Sequence, residues 1–362
     1  MPVFNQPWKL VWNKLVRYPG GREIDRFRGI EPACDDGRPE AWIGSDTKVN
    51  NTPPDSPYEG HARVILPSGR EMYLYEAIAL NPEAVLGKKH LSISGKKLGV
   101  LVKLLDAQYQ LQLQCHPSRE NAKKYFDSDF GKAESWYIIG MRDDTAEPPY
   151  VYMGFKEGVT KETFGAAFDM DDVSKMEACC HKVPVQIGDV FNISPGLPHA
   201  VGAGCFLVEV QEPSDITLEW SKLRVRGAVP TKIQQLHREI LLDCYEYDGA
   251  DYENNLTKYS IKPKTIREGN WGAEKLMIGP DQTPYFSFTT LDAKAPAEIL
   301  TRGFATVVIV LSGSGTIKWK GGEMQVKKAD ELFIPVSVED LSVEPQKEGL
   351  SIVLCKPPGV KY

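Results

Sequence analysis

Long apolar segments are missing from this sequence of 362 residues. A helix that crosses a bilayer needs roughly 18 or more consecutive apolar residues, and no stretch approaches that length. The opening residues, MPVFNQPWKLVWNKLV, also lack the basic and then apolar order of a secretory signal peptide and its small-residue cleavage site. We therefore expect no membrane span and a cytoplasmic location.

Cysteine is scarce and irregularly spaced. The seven cysteines are an odd number, and their spacing is not that of a disulfide framework. Reduced thiols in a cytoplasm fit this pattern better. The adjacent residues Cys179, Cys180 and His181 do not predict a metal site, because three neighbouring side chains cannot all point the same way on a regular element.

A basic tail and clusters of lysine and arginine are also absent, and the formal net charge is -6. Nucleic acids and anionic membranes are therefore not expected as partners. A phosphorylated small molecule remains compatible with this charge, because a few local cations can bind one phosphate. With 42% hydrophobic and 25% charged residues, the composition is that of an ordinary globular protein. The length is long for one domain and comfortable for two.

Polar residues with the chemistry of metal ligands occur in the predicted strands of the central part of the chain. Gln114 and His116 lie two residues apart in the run Leu111–His116, so a strand places both side chains on one face. Glu134 opens the next predicted strand, and His199 follows a further strand and turn. A histidine alone is more often a core residue, and glutamine is an unusual zinc ligand. The four residues together predict a metal site.

Their spacing follows the two motifs of cupin metal sites. The first motif has two ligands two residues apart and a carboxylate further on. The second is roughly G-x5-P-x-G-x2-H, represented here by Gly188, Gly196 and His199, with Ser194 where proline is usual.

Five short sequence words run in order from about Lys103 to Asp215: LVKLLDA, QCHP, KAE, the GD…SPGLPHA block and EVQEPSD. In this order they resemble the type I mannose-6-phosphate isomerases, a family of zinc-dependent cupins. The resemblance implies one zinc ion, and the ligands that it implies are Gln114, His116, Glu134 and His199. Nitrogen and oxygen ligands also suit manganese, iron or cobalt, so the residues alone leave the metal open.

The resemblance also implies a mainly β fold of tandem cupin barrels (double-stranded β-helix or jelly-roll) with a small helical insertion. We assign residues 1–260 to a metal-binding cupin domain, with the insertion at about 159–181. Residues 261–362 are assigned to a cupin-like domain that lacks the metal site.

An internal sequence repeat supports the second barrel. The segment Ala329–Pro335 resembles Gly188–Ser194, and superposing the two places Asp340 at the position of His199. Local patterns predict further elements, which are a buried strand at Val100–Leu105, a helix at Ser118–Phe126 capped by Ser118, two helical pieces within Thr160–Cys180, a helix at Lys232–Tyr245, and a helix at Glu71–Leu86 broken at Asn81–Pro82.

The activity that the resemblance implies is aldose–ketose isomerisation of mannose 6-phosphate and fructose 6-phosphate through a cis-enediol. This chemistry needs a base, an acid and a positive group near the enediolate. The family's catalytic lysine and aspartate correspond to Lys132 and Asp215, although which group is the base stays open. Lys103, Gln112 and Trp42 are the predicted substrate-binding residues.

Two of these have a second interpretation. Lys103 in an aliphatic strand indicates either a polar cavity or a solvated face. Trp42 matches its family word only loosely, and an ordinary core position is the alternative.

The sequence departs from the family pattern at three positions. Glu219 stands where the family has an arginine, so we expect Arg224 or Arg226 to supply the cation. Gln112 stands where a serine commonly contacts the phosphate, and Pro19 replaces the tryptophan of a Trp-Gly-Gly word. These departures keep two alternatives open: an isomerase of another sugar or sugar phosphate, and a catalytically weakened sugar-binding cupin. The oligomeric state is not predicted.

Overall fold

A computed structural model describes residues 4–50, 56–66, 68–170, 172–219, 224–226 and 237–362 of the chain. The side chains at 219, 224–226 and 237 are outside this description. Among the described residues, no helix combines the length and the apolar character needed to cross a bilayer.

Strands dominate the described part of the chain. They are β1 (Trp8–Leu10), β2 (Lys14–Leu15), β3 (Glu40–Ile43), β4 (Arg63–Ile65), β5 (Glu71–Tyr73), β6 (Leu101–Asp106), β7 (Gln114–Cys115), β8 (Glu134–Met141), β9 (Tyr150–Phe155), β10 (Cys180–Pro184), β11 (Val190–Ile193), β12 (His199–Val201), β13 (Cys205–Gln211), β14 (Thr217–Glu219), β15 (Arg224–Arg226), β16 (Lys264–Gly269), β17 (Gly272–Ile278), β18 (Ser287–Ala293), β19 (Ala297–Glu298), β20 (Thr306–Trp319), β21 (Gly322–Lys327), β22 (Glu331–Ile334) and β23 (Ser342–Lys356).

The helices of the same ranges are short. They are α1 (Arg22–Arg28), α2 (Leu74–Leu80), α3 (Pro82–Leu86), α4 (Lys88–Ser94), α5 (Arg119–Phe126), α6 (Lys161–Asp169), α7 (Val173–Ala178), α8 (His237–Asp243) and α9 (Tyr252–Tyr259). The pair α6 and α7 lies in the range predicted for the helical insertion.

Three antiparallel sheets organise these strands. Two have six strands each, in the orders β10-β9-β12-β7-β14-β15 and β11-β8-β13-β6-β3-β2. The third has eleven strands, with the main order β16-β17-β18-β23-β20-β22-β1-β4-β5. We name the first the imidazole sheet, because it carries His199 in β12, and the second the carboxylate sheet, because it carries Glu134 in β8.

The N-terminal strand joins the largest sheet instead of either six-stranded sheet. Trp8 of β1 is opposite Phe333 of β22, and their rings stack with centroids 5.7 Å apart. Arg28 of α1 makes an ion pair with Glu331 of β22 at 2.6 Å, with both side chains 1% exposed. The N-terminal residues are therefore built into the sheet that contains the C-terminal strands.

Several local predictions agree with the structure. β6 and β8 lie where buried strands were expected, and the break between α2 and α3 falls at Asn81. The helix predicted at Lys232–Tyr245 is seen as α8, while residues 232–236 of that range lie outside the described residues.

Three local predictions differ from the structure. Glu71–Tyr73 is a strand and not a first helical turn, because it pairs with β4. The predicted strand Leu111–His116 shrinks to Gln114–Cys115, and β20 joins two runs that were predicted as separate strands. The register of β20 against β23 shifts around Gly313, where the sequence resembles a turn. The positive φ of Gly313, 76°, accommodates this irregularity within the strand.

The start of α5 offers a test of local stability. Ser118 Oγ accepts the Asn121 N–H at 3.2 Å and so satisfies a backbone donor that the helix itself leaves unpaired. We expect Ser118→Ala to lower the free energy of unfolding by about 1 kcal/mol, measured by urea denaturation. Ser118→Asp retains an acceptor and is the control; an equal loss in both variants would contradict the capping role.

Candidate metal centre and its cavity

The imidazole and carboxylate sheets bring the four predicted metal ligands together. Gln114 of β7 is directly opposite His199 of β12, so their side chains are cross-strand neighbours on one face. His116 follows β7 immediately, and its backbone C=O accepts the Gly196 N–H at 2.8 Å. Glu134, the first residue of β8, projects from the other sheet and completes the cluster.

The distances within this cluster are those of converging donors. His116 Nε2 lies 3.1 Å from Glu134 Oε2, and His199 Nε2 lies 3.4 Å from Glu134 Oε1. Gln114 Nε2 is 3.3 Å from His199 Nε2. Ligand atoms of His116, Glu134 and His199 all lie within 4.8 Å of one another. Their side chains are almost completely buried, at no more than 1% exposed.

The tautomer of His199 is set by its second ring nitrogen. His199 Nδ1 lies 2.8 Å from the Leu197 carbonyl oxygen, which can only accept a hydrogen bond. Nδ1 therefore carries the proton, and Nε2 presents a lone pair towards Glu134. A backbone carbonyl in this role orients metal-binding histidines in proteins.

Burial keeps both imidazoles neutral, and the neighbouring Lys132 keeps the Glu134 carboxylate charged. Desolvation lowers the pKa of His116 to about 3 and lowers the pKa of His199. Burial alone would raise the pKa of Glu134, but the charge of Lys132 and the contact with His116 lower it well below its usual range. Neutral imidazole and ionised carboxylate are the protonation states that bind a metal ion.

The carboxylate oxygens of Glu134 are buried without normal hydrogen bonds from the described residues, and a bound cation would satisfy them. The Lys132 ammonium lies 3.0 Å from Glu134 Oε2 and 2.8 Å from His116 Nε2, so positive charge already gathers at these donors. Two imidazole nitrogens, a carboxylate and an amide form a nitrogen and oxygen donor set that suits a divalent metal ion.

A row of cross-strand neighbours forms the wall of the cavity beside this cluster. Lys103 of β6 is opposite both Trp42 of β3 and Glu209 of β13, and Glu209 is in turn opposite Trp136 of β8. Lys103 Nζ lies 2.8 Å from Glu209 Oε1, and Trp136 Nε1 donates to Glu209 Oε2 at 3.2 Å. Trp136 then contacts the His199 ring edge-on at 5.5 Å between centroids. The row links the charged wall to the metal cluster.

The charges of this wall depend on one another. Burial lowers the pKa of Lys103, but attraction to Glu209, Glu40 and Asp215 outweighs it and the pKa is raised. Burial, together with the charge of Glu134, raises the pKa of Glu209. For Glu40, Lys103 and Arg17 overcome the cost of burial and lower the pKa to about 2.

The cavity brings most of the predicted catalytic and substrate-binding residues together. Lys132, Asp215, Lys103 and Gln112 all line it, beside Gln114. Lys103 thus lies in a polar cavity and not on a solvated face.

Trp42 lies behind the wall, 1% exposed, where Arg17 and Lys103 sit over its ring at 5.4 and 5.2 Å. It packs with Leu15, Val49 and Leu101. This is the core position that the second interpretation of Trp42 predicted. Its indole N–H donates to Glu40 Oε2 at 2.9 Å.

The predicted arginines fall where only the backbone is described. Arg224 is opposite Glu219 in the pairing of β15 with β14, and Glu219 is opposite Gln114 of β7. The side chains of Arg224, Arg226 and Glu219 lie outside the described residues. Their contribution to the cavity stays a prediction.

Several further residues line the cavity without a sequence motif that predicts a role for them. Glu209 is the first residue of the word EVQEPSD. A glutamate in the apolar run Cys205–Gln211 was a signal of its buried position. Glu40 lies two residues before Trp42 in an otherwise apolar strand, which is a similar signal. Arg17 and Tyr18 carry no motif that marks them.

Comparisons with known proteins agree with this architecture. Residues 280–353 match the family described as mannose-6-phosphate isomerase, cupin domain. The mannose-6-phosphate isomerase of Streptococcus mutans is 34% identical over 240 residues, which cover 66% of this chain and 69% of that protein. The mannose-6-phosphate isomerase ManA of Bacillus subtilis is 24% identical over 255 residues, covering 70% of this chain and 74% of the relative.

The fold comparison extends over nearly the whole chain. The crystal structure of a mannose 6-phosphate isomerase from Bacillus subtilis matches with a TM-score of 0.75 and 20% identity, over 96% of this chain and 99% of that one. This similarity confirms the mainly β cupin fold that the sequence predicted. Together with the relative from Streptococcus mutans, it shows that this chain belongs to the mannose-6-phosphate isomerase family.

Proposed function

We propose that this protein is a metal-dependent isomerase that interconverts mannose 6-phosphate and fructose 6-phosphate through a cis-enediol. The observation that carries the proposal is the convergence of Gln114, His116, Glu134 and His199 beside a cavity lined by charged groups. Zinc is the proposed ion, because the resemblance to the family favours it over manganese, iron or cobalt. A sugar phosphate is the proposed partner, at a cytoplasmic location.

A metal ion held by these residues would polarise the sugar carbonyl or orient its hydroxyl groups. The chain's own groups supply the remaining requirements. Lys132 provides positive charge next to the ligands, close to where an enediolate oxygen would develop charge. Asp215 lines the same cavity and is the second proposed catalytic group.

Glu209 is a further group suited to proton transfer. Its pKa is raised by burial, and it touches Lys103 and Trp136 at the cavity wall. A carboxyl group with a raised pKa exchanges protons more readily near neutral pH than an ordinary glutamate does. Lys103 and Gln112 are proposed to contact substrate oxygens, with Trp42 supporting them from behind.

Arg224 and Arg226 remain proposed cations for the position where the family arginine is replaced by Glu219.

The division into a metal-binding domain at 1–260, with its insertion at about 159–181, and a cupin-like domain at 261–362 is likewise a proposal. The pairing of β1 with β22 shows that these two parts share one sheet.

Conversion of mannose 6-phosphate by the purified protein tests the proposal. We expect the zinc-loaded protein to produce fructose 6-phosphate, and the same sample to lose this activity after chelation and to regain it with added zinc. Unphosphorylated mannose and other sugar phosphates, assayed in parallel, separate a different substrate preference. Metal binding without turnover of any sugar would instead favour a sugar-binding cupin and would contradict the proposal.

A further inference from the structure

The N-terminal segment places an arginine in the cavity beside Asp215. Arg17 follows β2, and its backbone N–H donates to the Gly37 carbonyl oxygen at 3.0 Å. Its side chain is 11% exposed and lines the cavity with Asp215 and Lys132. Arg17 and Asp215 are 198 residues apart in sequence, so this contact exists only in the folded chain.

The guanidinium group holds both oxygens of the carboxylate. One terminal nitrogen of Arg17 donates to Asp215 Oδ1 at 3.0 Å and to Oδ2 at 3.1 Å. The Asn50 backbone N–H is a second donor to Oδ2, at 3.0 Å. Charge-assisted hydrogen bonds of this kind restrict a carboxylate to one orientation.

Arg17 is itself held in place by the wall behind it. Its guanidinium carbon lies 5.4 Å from the centre of the Trp42 ring, within the range of a cation–π contact. Glu40 Oε2 lies 4.0 Å from Arg17 Nε, and this carboxylate is fixed by the Trp42 indole N–H. The attraction of Glu40 and Asp215 outweighs desolvation and raises the pKa of Arg17.

We infer that Arg17 is a positioning residue for the reaction, which fixes the Asp215 carboxylate at the cavity and offsets its charge. The inference rests on the proposed function, because Asp215 is assigned there as a catalytic group. Among the described residues that line the cavity, the carboxylates are those of Glu40, Glu209 and Asp215, and Glu134 lies beside them. Of the described cations that line the cavity, Lys103 and Lys132 make ion pairs with Glu209 and Glu134, and Arg17 makes the ion pair with Asp215.

A double-mutant cycle tests this role. We expect Arg17→Gln to lower kcat by about a hundredfold, because a misplaced catalytic group costs about this much. In an Asp215→Asn background the same change should have less than about a twofold further effect, since the group that Arg17 positions is already disabled. Arg17→Lys should recover part of the loss. The exposed Arg38 is the matched control, and Arg38→Gln should leave kcat unchanged.

Each outcome separates the inference from the proposed function. Losses from Arg17→Gln and Asp215→Asn that multiply in the double variant, or an unaffected Arg17→Gln enzyme, would overturn the positioning role while leaving the isomerase assignment intact. An inactive wild-type protein would overturn the proposed function itself. If Arg17→Gln does not fold, Arg17→Lys decides the matter: a loss of kcat in this variant that disappears in the Asp215→Asn background supports the role, and a loss that persists there contradicts it.

Discussion

His199→Ala is expected to abolish stoichiometric metal binding and to lower isomerase turnover by about a hundredfold or more. Substitution of a group that merely orients a metal ligand costs about 10- to 100-fold, and loss of the ligand itself should cost at least as much. Removal of this imidazole also leaves the Leu197 carbonyl oxygen and Gln114 without the contacts that they now make. Metal content per chain, measured by mass spectrometry of the purified protein, checks the first effect directly.

The matched control for this variant is a buried histidine outside the site. His181 is 6% exposed, and its Nε2 lies 2.8 Å from the Ala250 carbonyl oxygen, away from the metal cluster. His181→Asn should keep its metal and its turnover. If His199→Ala retained a full equivalent of tightly bound zinc, the ligand assignment would be wrong, whatever its activity.

Lys103→Met is expected to lower the free energy of unfolding at pH 7 by about 3 to 5 kcal/mol, the cost of leaving one member of a buried ion pair without its partner. Lys103 and Glu209 are each 5% exposed, so water cannot compensate Glu209 for the lost ammonium. Urea denaturation of the wild type and the variant gives the difference. Adding Glu209→Gln should recover part of the stability, because the double variant no longer buries an unpaired charge.

The pH dependence of this loss has a defined sign. The pKa of Glu209 is raised in the folded state, so the folded chain binds this proton more readily than the unfolded chain does. Lys103 lowers this pKa, so Lys103→Met raises it further. The variant therefore gains more stability than the wild type as the pH decreases, and the penalty of Lys103→Met should shrink under acidic conditions. The opposite trend would show that Glu209 does not carry the penalty.

An exposed ion pair gives the control for the lysine substitution. Lys320 and Glu339 are 68% and 64% exposed, and their charged atoms lie 2.7 Å apart. Lys320→Met makes the same change of side chain and removes the same charge, but at an exposed site. The expected loss of stability is only about 0 to 1 kcal/mol. The comparison isolates burial as the cause of the larger effect.

The sequence identified the parts of the site whose chemistry is visible in short motifs. Gln114 and His116 are two residues apart, and a strand is enough to place them on one face. Glu134 and His199 were identified from the spacing of the cupin motifs and from the resemblance to the isomerase family, whose words they occupy. For Lys103 the pattern allowed a polar cavity or a solvated face, and the resemblance to the family favoured the cavity, in which the structure places it beside Glu209.

The remainder of the cavity depends on contacts that a linear pattern does not encode. Arg17 reaches Asp215 across 198 residues, and nothing in its immediate neighbours marks it. Trp42 was ambiguous, because a buried indole beneath a charged wall and a substrate-facing indole have the same local sequence. The β5 strand was missed for a related reason: its pairing with β4 outweighs the helical pattern that continues into α2.

The place of β1 bears on how the chain reaches its native state. Trp8 and Lys9 pair with Phe333 and Leu332, so β1 is synthesised long before the strand with which it pairs. The ribosome adds roughly 5 to 20 residues per second, and β1 therefore spends many seconds without its neighbour. The largest sheet can be completed only after β22 has been synthesised, and an apolar edge at β22 stays open to other chains until β1 covers it.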